Sequence, residues 1–321
     1  MRILAGKRAC QLALLATAFL STFTVAAGAP SDQGPMLHVL GIAQDGGVPQ
    51  AGDPDPARWS DASSTRSVVS LGVSLPSTKQ RWLFEATPDL PEQLASFDRL
   101  FPVEGAAPRL AGIFLTHGHI GHYTGLMFLG HEAMGARDVP VFAMPRMAAF
   151  LSGNGPWSQL VRYRNIELVE LEDRVPVVLA EALSVTPFLV PHRQEFTEVV
   201  GYRIDGPRRS VLFIPDIDSW EEWDQAGHRI EAALAEVDVA YLDATFFMNG
   251  EIPGRDMSGF PHPFVRHTMD RLAPLPAETR AKVRFIHLNH TNPALDEHSD
   301  AHGEIIERGF RVAREGERVD L

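Results

Sequence analysis

Short apolar runs, separated by polar and glycine-rich stretches, recur along most of the chain. Runs of this length that are bounded by turn residues are typical of buried strands. The sequence predicts strands over residues 37–40, 68–75, 82–84, 113–115, 139–142, 183–190, 199–204, 211–214, 239–242 and 284–288. Helical patterns lie between them, over residues 90–100, 123–134, 219–237, 262–272 and 301–308. Strands and helices mixed in this way predict a layered α+β or α/β domain.

No low-complexity linker, composition break or internal repeat interrupts residues 31–321, so we predict a single domain there. Two segments are predicted to be long loops, at residues 46–64 and 249–259. Loops of such length in compact domains are often functional.

The first 29 residues have the pattern of a secretory signal peptide. Arg2, Lys7 and Arg8 form a basic start, residues 9–27 are mostly apolar, and small residues follow from position 26. A retained membrane anchor is the alternative, because the apolar stretch approaches spanning length. We expect cleavage, and a periplasmic or secreted protein of a bacterial envelope with no stable membrane insertion afterwards.

The cysteine content limits which residues can bind a metal, and the net charge limits which partners are expected. Cys10, within the predicted signal, is the only cysteine, so a metal in the mature protein must be held by His, Asp or Glu. The net charge is −12, and without residues 1–29 it is −15, from 26 basic and 41 acidic residues. An acidic surface repels phosphate backbones. We therefore expect a small-molecule substrate and no nucleic-acid partner.

The segment Thr116-His117-Gly118-His119-Ile120-Gly121-His122 is the most informative part of the sequence. It directly follows the predicted strand at residues 113–115, so one short loop can point several imidazoles at one place. Neutral imidazole is the commonest side-chain metal ligand, and a hydrolytic zinc site needs about three protein ligands and one free position. This spacing predicts a metal site.

Further candidate ligands stand in or near the ends of later predicted strands. His192, Asp216 and Asp243 each follow an apolar run, and His287 and His290 lie in and after the last one. A single histidine at a strand end is usually structural, but an ordered series of His, Asp and His after successive strands favours a shared site.

This order resembles the metallo-β-lactamase superfamily, whose motifs run H-x-H-x-D-H, His, Asp, His. The resemblance implies an αβ/βα sandwich of two mixed β-sheets flanked by helices. It implies that His117, His119 and His192 bind one metal, that Asp216 bridges two, and that His122 and His290 bind the second. It also implies catalytic roles for Asp216 and His290. His290 is preferred because the family's last histidine ends its strand, whereas His287 is predicted to lie mid-strand and face the core.

The sequence departs from the family at Gly121, where an aspartate usually ligates the second metal. Glycine has no ligand to offer, so either another carboxylate replaces it or the second ion binds more weakly. Asp45, in a turn after the first strand, and Asp243 are the candidate replacements. For Asp45, simple turn chemistry is the alternative interpretation.

A closer resemblance, to the pyrroloquinoline-quinone biosynthesis protein B family, covers most of the mature chain. It rests on residues 41–50, 85–90, 143–146 and above all on His-Leu-Asn-His-Thr-Asn-Pro at 287–293. That family has the same fold but lacks much of the usual histidine cluster. This sequence has His117, His119, His122 and Asp216. It therefore looks like a relative of that family with a hydrolase-type metal site.

Three functions remain open from the sequence. The first is a hydrolase that uses a metal-bound hydroxide on an ester, lactone, amide or phosphodiester, with one or two zinc ions, or with iron or manganese. The second is an iron-dependent, oxygen-using enzyme related to cofactor biosynthesis. The third is a non-catalytic envelope binding protein.

Overall fold

A computed structural model describes residues 34–102 and 109–321. Over these residues, fourteen strands form two sheets of seven. The first sheet contains β1 (Met36–Gly41), β2 (Ser70–Leu75), β3 (Gln80–Phe84), β4 (Arg109–Phe114), β5 (Val139–Ala143), β6 (Ile166–Glu170) and β14 (Arg318–Asp320). The second contains β7 (Val177–Ala180), β8 (Leu183–Leu189), β9 (Val200–Asp205), β10 (Ser210–Ile214), β11 (Val239–Asp243), β12 (Val283–Ile286) and β13 (Arg311–Val312).

Helices connect and flank the strands. They are α1 (Pro56–Ser60), α2 (Leu90–Leu100), α3 (Ile120–Tyr123), α4 (Pro145–Gly153), α5 (Trp157–Arg162), α6 (Trp220–Gln225), α7 (Ile230–Ala235), α8 (Val265–Leu272), α9 (Ala277–Arg280) and α10 (Asp300–Glu307). Two 3₁₀ helices cover Thr124–Leu129 and Pro293–Leu295. None of the helices in the described ranges has the length and apolar character that a membrane span requires.

The strand order is β14-β1-β2-β3-β4-β5-β6 in one sheet and β13-β12-β11-β10-β9-β8-β7 in the other. Each sheet is mixed, with neighbouring parallel pairs β3–β4–β5–β6 and β10–β11–β12–β13. The remaining pairs are antiparallel, so β1 runs parallel to β3, and β8 runs parallel to β10. In each sheet, several strands therefore end at the same edge. The predicted αβ/βα sandwich is confirmed.

Aromatic side chains fill the space between the two sheets. Phe84 stacks on Phe114, and the ring of Tyr202 from the other sheet meets both edge-on, at centroid distances of 5.4 and 5.7 Å. Phe213 lies edge-on to Phe84 as well, at 6.3 Å. All four side chains are buried, so apolar burial and specific ring geometry both hold the sheets together.

Two predicted helices are interrupted. Over 123–134 the chain leaves the α-helix after Tyr123 and continues as the 3₁₀ helix Thr124–Leu129, in which the Gly125 amide donates to Ala86 O in the loop after β3 at 2.9 Å. Over 219–237 the chain forms α6 and α7, separated at Gly227, which has a φ of +86°. The predicted signal peptide lies outside the described residues.

Candidate metal centre

The candidate site lies where the ends of strands from both sheets meet. β3, β4, β10, β11 and β12 all lead directly into loops that carry polar side chains at this edge. The two sheets are joined here by a parallel bridge between Ala43 and Leu288 and by a hydrogen bond from Val200 N to Thr116 O. Side chains from different sheets are thereby brought within contact distance.

One group contains His117, His119, His192 and Asp216, whose potential ligand atoms all lie within 4.8 Å of one another. His119 Nδ1 is 2.9 Å from His117 Nε2 and 3.2 Å from His192 Nε2. Asp216 lies 3.4 Å from both of those Nε2 atoms. Ligands of tetrahedral zinc, each ~2.0–2.1 Å from the ion, stand ~3.3 Å apart. The spacing suits a metal of that size.

A second group contains Asp45, His122 and His287, and Asp216 of the first group lies within contact distance of both of its histidines. His122 Nε2 is 3.2 Å from Asp45 Oδ1 and 3.4 Å from Asp216 Oδ2. His287 Nε2 is 3.6 Å from Asp216 Oδ2 and 4.0 Å from Asp45 Oδ1. The carboxylate of Asp216 therefore faces candidate ligands of both groups.

The structure contradicts the preference for His290 over His287. β12 ends at Ile286, one residue before His287, whose φ of +66° turns its fully buried ring into the site. His290 belongs to none of the metal-compatible groups found among the described residues. Burial lowers the pKa of His290, and its charged neighbours are Asp53, in the loop after β1, and Arg58, in α1. The placement of His287 mid-strand was wrong because the strand is shorter than its apolar pattern.

Outer hydrogen bonds orient the rings of the first group. Thr116 Oγ1 donates to Glu85 Oε1, and so it accepts from His117 Nδ1 at 2.9 Å. His119 Nε2 donates to Glu195 at 3.1 Å, and His192 Nδ1 donates to Asp218 at 2.6 Å. Each ring thus directs its remaining nitrogen lone pair toward the centre of the group.

The rings of the second group are held in the same way. His122 Nδ1 lies 3.1 Å from Glu85 Oε1. Thr245 Oγ1 donates to Asp243 Oδ1 at 2.7 Å and accepts from His287 Nδ1 at 2.9 Å. Metal-binding histidines characteristically use one nitrogen for such an outer partner and the other for the ion.

Asp243, the other candidate replacement for a carboxylate at position 121, has a different role. Its Oδ1 accepts from Thr245, and its Oδ2 accepts from the Ile217 amide at 3.1 Å and from His262 Nδ1 at 2.8 Å. The side chain is fully buried and occupied by these hydrogen bonds. Asp243 therefore supports the site from behind.

Burial and neighbouring charges set the protonation states that metal binding requires. Burial is the main reason that the pKa of His117 lies well below its ordinary value, and it also lowers the pKa of His119. Burial alone would raise the pKa of Asp216, but nearby histidines outweigh it and bring the pKa well below the usual range. The pKa of Asp45 is likewise lowered, because His122 and His287 overcome the effect of burial. Neutral imidazole and ionised carboxylate are the forms that bind metals.

The same carboxylates favour a cation beside His122. Burial alone would lower the pKa of His122, but Glu85, Asp216 and Asp45 raise it well above its ordinary value. Bound metal would supply positive charge at this place instead of a proton.

Unpartnered atoms provide the test of whether a metal fits. Asp45 Oδ1, His122 Nε2, Asp216 Oδ1 and His287 Nε2 are buried without a hydrogen-bond partner. Buried polar atoms are costly to leave unsatisfied. Because all four belong to the two groups described above, bound metal would satisfy them together. The residues fit.

Two residues at the site, His262 and Glu85, were not predicted from the sequence. His262 was placed at the start of a helix, but α8 begins at Val265, and the His262 ring packs between Asp243 and Asp216, with Nδ1 3.2 Å from Asp216 Oδ1. Burial would lower the pKa of His262, yet these two carboxylates raise it to about 9. Glu85, which directly follows β3, could have been found by the strand-end argument that identified His117.

Comparisons with known proteins agree with this architecture. The β-lactamase superfamily domain matches residues 80–287. Coenzyme PQQ synthesis protein B of Xanthomonas campestris pv. campestris is 25% identical over 309 residues, covering 89% of this chain and 99% of that protein. The protein of the same name from Methylorubrum extorquens is 25% identical over 314 residues, covering 89% and 100%.

Solved structures show the same fold. The zinc-bound PqqB crystal structure from Methylobacterium extorquens matches with a TM-score of 0.73 at 24% identity, covering 89% of this chain and all of that one. A diphosphatase of the PhnP family matches with a TM-score of 0.63 at 20% identity, covering 89% and 97%.

Proposed function

Because the chain belongs to the metallo-β-lactamase superfamily and is similar to PqqB, we propose that it is a metal-dependent hydrolase. Its substrate would be an ester, lactone, amide or phosphodiester. One observation carries the proposal. Five histidines each give one ring nitrogen to an outer partner and turn the other toward two adjoining groups that share Asp216. Metal-binding histidines characteristically have this arrangement, in which one ring nitrogen contacts an outer partner and the other is free for the ion.

A zinc ion bound here would lower the pKa of its bound water to about 7 and would stabilise negative charge that develops on the substrate. Asp216 faces both groups, so it would hold them at a fixed separation and orient the attacking water. His262 Nδ1 donates to Asp243 Oδ2 at 2.8 Å and lies 3.2 Å from Asp216 Oδ1, so His262 and Asp243 would support the Asp216 carboxylate from behind. The catalytic role predicted for His290 is not carried forward, because His287 occupies the position from which it was inferred.

The surroundings of His119 favour a small substrate with an apolar part. Ile120, next to His119, is 65% exposed, and Phe196 is 57% exposed. Phe196 Cβ lies 3.5 Å from the place where a Cβ would stand on Gly118, so both apolar side chains border the histidine loop. Together with the net charge of −15 predicted for the mature chain, this favours an uncharged or weakly charged small molecule over nucleic acid.

A role in cofactor biosynthesis is the second candidate, favoured by the similarity to coenzyme PQQ synthesis protein B over nearly the whole length of that protein. In that case the purified protein should contain iron and consume oxygen with its substrate. A third candidate, a non-catalytic binding protein, would bind ligands in the cleft without converting them.

The test is a hydrolase panel of nitrophenyl esters, lactones, anilides and bis-nitrophenyl phosphate, run with the zinc-loaded protein. We expect turnover of at least one class. His119→Ala should reduce it by more than about 100-fold, since even the loss of outer partners costs 10–100-fold. His131→Ala, which removes an exposed histidine that contacts Glu132 and Tyr163 and belongs to neither metal group, is the matched control and should retain wild-type turnover. Oxygen consumption without hydrolysis, or binding without either, would contradict the proposal.

A further inference from the structure

Position 121 has no room for a side chain. A Cβ on Gly121 would stand 2.2 Å from Asp45 Oδ1 and 2.5 Å from Asp45 Cα. Contacts below 3.0 Å are not found for real Cβ atoms, and the second of these is to backbone. The turn after β1 therefore fills the space that an aspartate at position 121 would need, and removing the Asp45 side chain alone would not free it.

Asp45 does not stabilise its own turn. The turn is closed by a hydrogen bond from Gly47 N to Gln44 O at 2.8 Å, and Asp45 Oδ1 has no hydrogen-bond partner. By contrast, Asp53 and Asp55 in the following loop both accept backbone amides, at 3.0 and 2.9 Å. The turn-chemistry interpretation suits those two residues, while Asp45 is directed at His122 and His287.

The backbone that carries Asp45 is fixed to the backbone that carries His287. Gln44 N donates to Leu288 O, and Leu288 N donates to Ile42 O, both at 2.9 Å. The Asn289 side chain also donates to Gln44 Oε1. The two potential ligands are thus presented by paired segments, one from each sheet.

We infer that Asp45 supplies the second-group carboxylate in place of the aspartate usual at position 121, and that Gly121 is the residue that makes this possible. The carboxylate then comes from the turn after β1 instead of from position 121 in the helix after β4, and its Oδ1 lies 3.2 Å from His122 Nε2 and 4.0 Å from His287 Nε2. The inference rests on the metal centre of the proposed function but not on hydrolysis, since metal binding can be measured in a protein that converts no substrate.

The first test is zinc titration of the full-length apo-protein carrying Asp45→Ala or the nearly isosteric Asp45→Asn. We expect one of two zinc ions to bind at least about 10–100-fold more weakly, with the other unchanged. Asp53→Ala, in the same loop, is the matched control and should bind as the wild type does. If Asp45→Ala fails to fold, Asp45→Asn decides the question. Wild-type binding of both ions by the folded variant would overturn the inference.

The second test adds a methyl group. Gly121→Ala should weaken the same ion as Asp45→Ala does, whereas Gly153→Ala, where a Cβ meets nothing within 4 Å, should have no effect. Gly121→Asp should likewise fail to tighten the second ion. Tighter binding in Gly121→Asp would show that position 121 can hold the carboxylate and would contradict the inference. Full metal binding without turnover would leave the inference standing and contradict only the hydrolase proposal.

Discussion

Glu85 Oε1 lies 3.1 Å from His122 Nδ1, and both side chains are fully buried. This contact turns His122 Nε2 toward Asp45 and Asp216. Glu85 also accepts from the Thr116 hydroxyl, which orients His117, so one carboxylate supports a ligand of each group. The backbone of Glu85 has a φ of +80°, in the left-handed region. Such strained conformations persist only where the surrounding structure holds them, and they cluster at functional sites.

Replacing Glu85 with glutamine should therefore weaken metal binding without removing a ligand. We expect Glu85→Gln to lower zinc affinity by about 10–100-fold, because outer partners orient the imidazole and raise its basicity. Competition with a chromogenic chelator measures this. Glu251→Gln is the matched control, because Glu251 also accepts from a backbone amide and a threonine hydroxyl but belongs to neither metal group. Equal affinities in the two variants would contradict the orienting role.

The two histidines of the 287–293 motif should behave differently. His287→Ala should lower the zinc content of the purified protein, because its Nε2 faces Asp216 and Asp45. His290→Ala should leave zinc content unchanged. Elemental analysis of both variants beside wild type makes the comparison, and the reverse pattern would restore the ligand assignment made from sequence.

Candidate ligands that follow an apolar run at a strand end could be identified from the sequence. His117, His192 and Asp216 are all positioned in this way, and the structure brings them together. His262 could not be found in this way, because that residue reaches the site from a loop whose path depends on tertiary packing. His287 was placed within a strand because an apolar pattern does not show that β12 ends at Ile286 and that His287 has a positive φ.

The fold, like the site, could be predicted from the sequence only in part. Alternation of apolar runs and helical patterns predicted the layered class, and the family resemblance supplied the sandwich. Strands β6, β7, β13 and β14 were not predicted. β6, β13 and β14 lack a continuous apolar run, whereas β7 is an apolar run of only four residues, all partly exposed or exposed. The space at Gly121 could not be read from sequence, because it depends on contact with a turn 76 residues earlier.

A buried histidine remote from the metal centre should make stability depend on pH. His38 lies 1% exposed on β1, with Nε2 2.9 Å from Ser74 Oγ. Burial, aided by Arg318, lowers the pKa of His38 from 6.5 to about 4. Below pH 6.5 the unfolded chain therefore binds a proton that the folded chain does not. The resulting stabilisation is complete above pH 6.5 and is lost as the pH falls toward 4, by about 3 kcal/mol in all.

His38→Gln removes this group, so its free energy of unfolding should fall less steeply than that of the wild type between pH 6.5 and 4. Urea unfolding at pH 7.5, 5.5 and 4.5 gives the two slopes. Parallel curves would show that His38 does not contribute to the acid sensitivity.

We propose that the protein acts in the bacterial envelope or outside the cell, on the basis of its first 29 residues. N-terminal sequencing of the purified protein from the envelope fraction should begin between about residues 27 and 31, where small residues follow the apolar stretch. An intact Met1 on membrane-bound protein would instead support the retained anchor.

The number of metal ions per chain tests the central claim most directly. The sequence alone left open whether another carboxylate replaces the one missing at Gly121 or the second ion binds more weakly. With Asp45 in the second group, each group has three residues of its own, and Asp216 lies 3.4 Å from a histidine of each. Titration of the wild-type apo-protein with zinc, followed by gel filtration and elemental analysis, should show two tightly retained ions per chain. Retention of one ion or none would contradict a two-metal centre between the sheets.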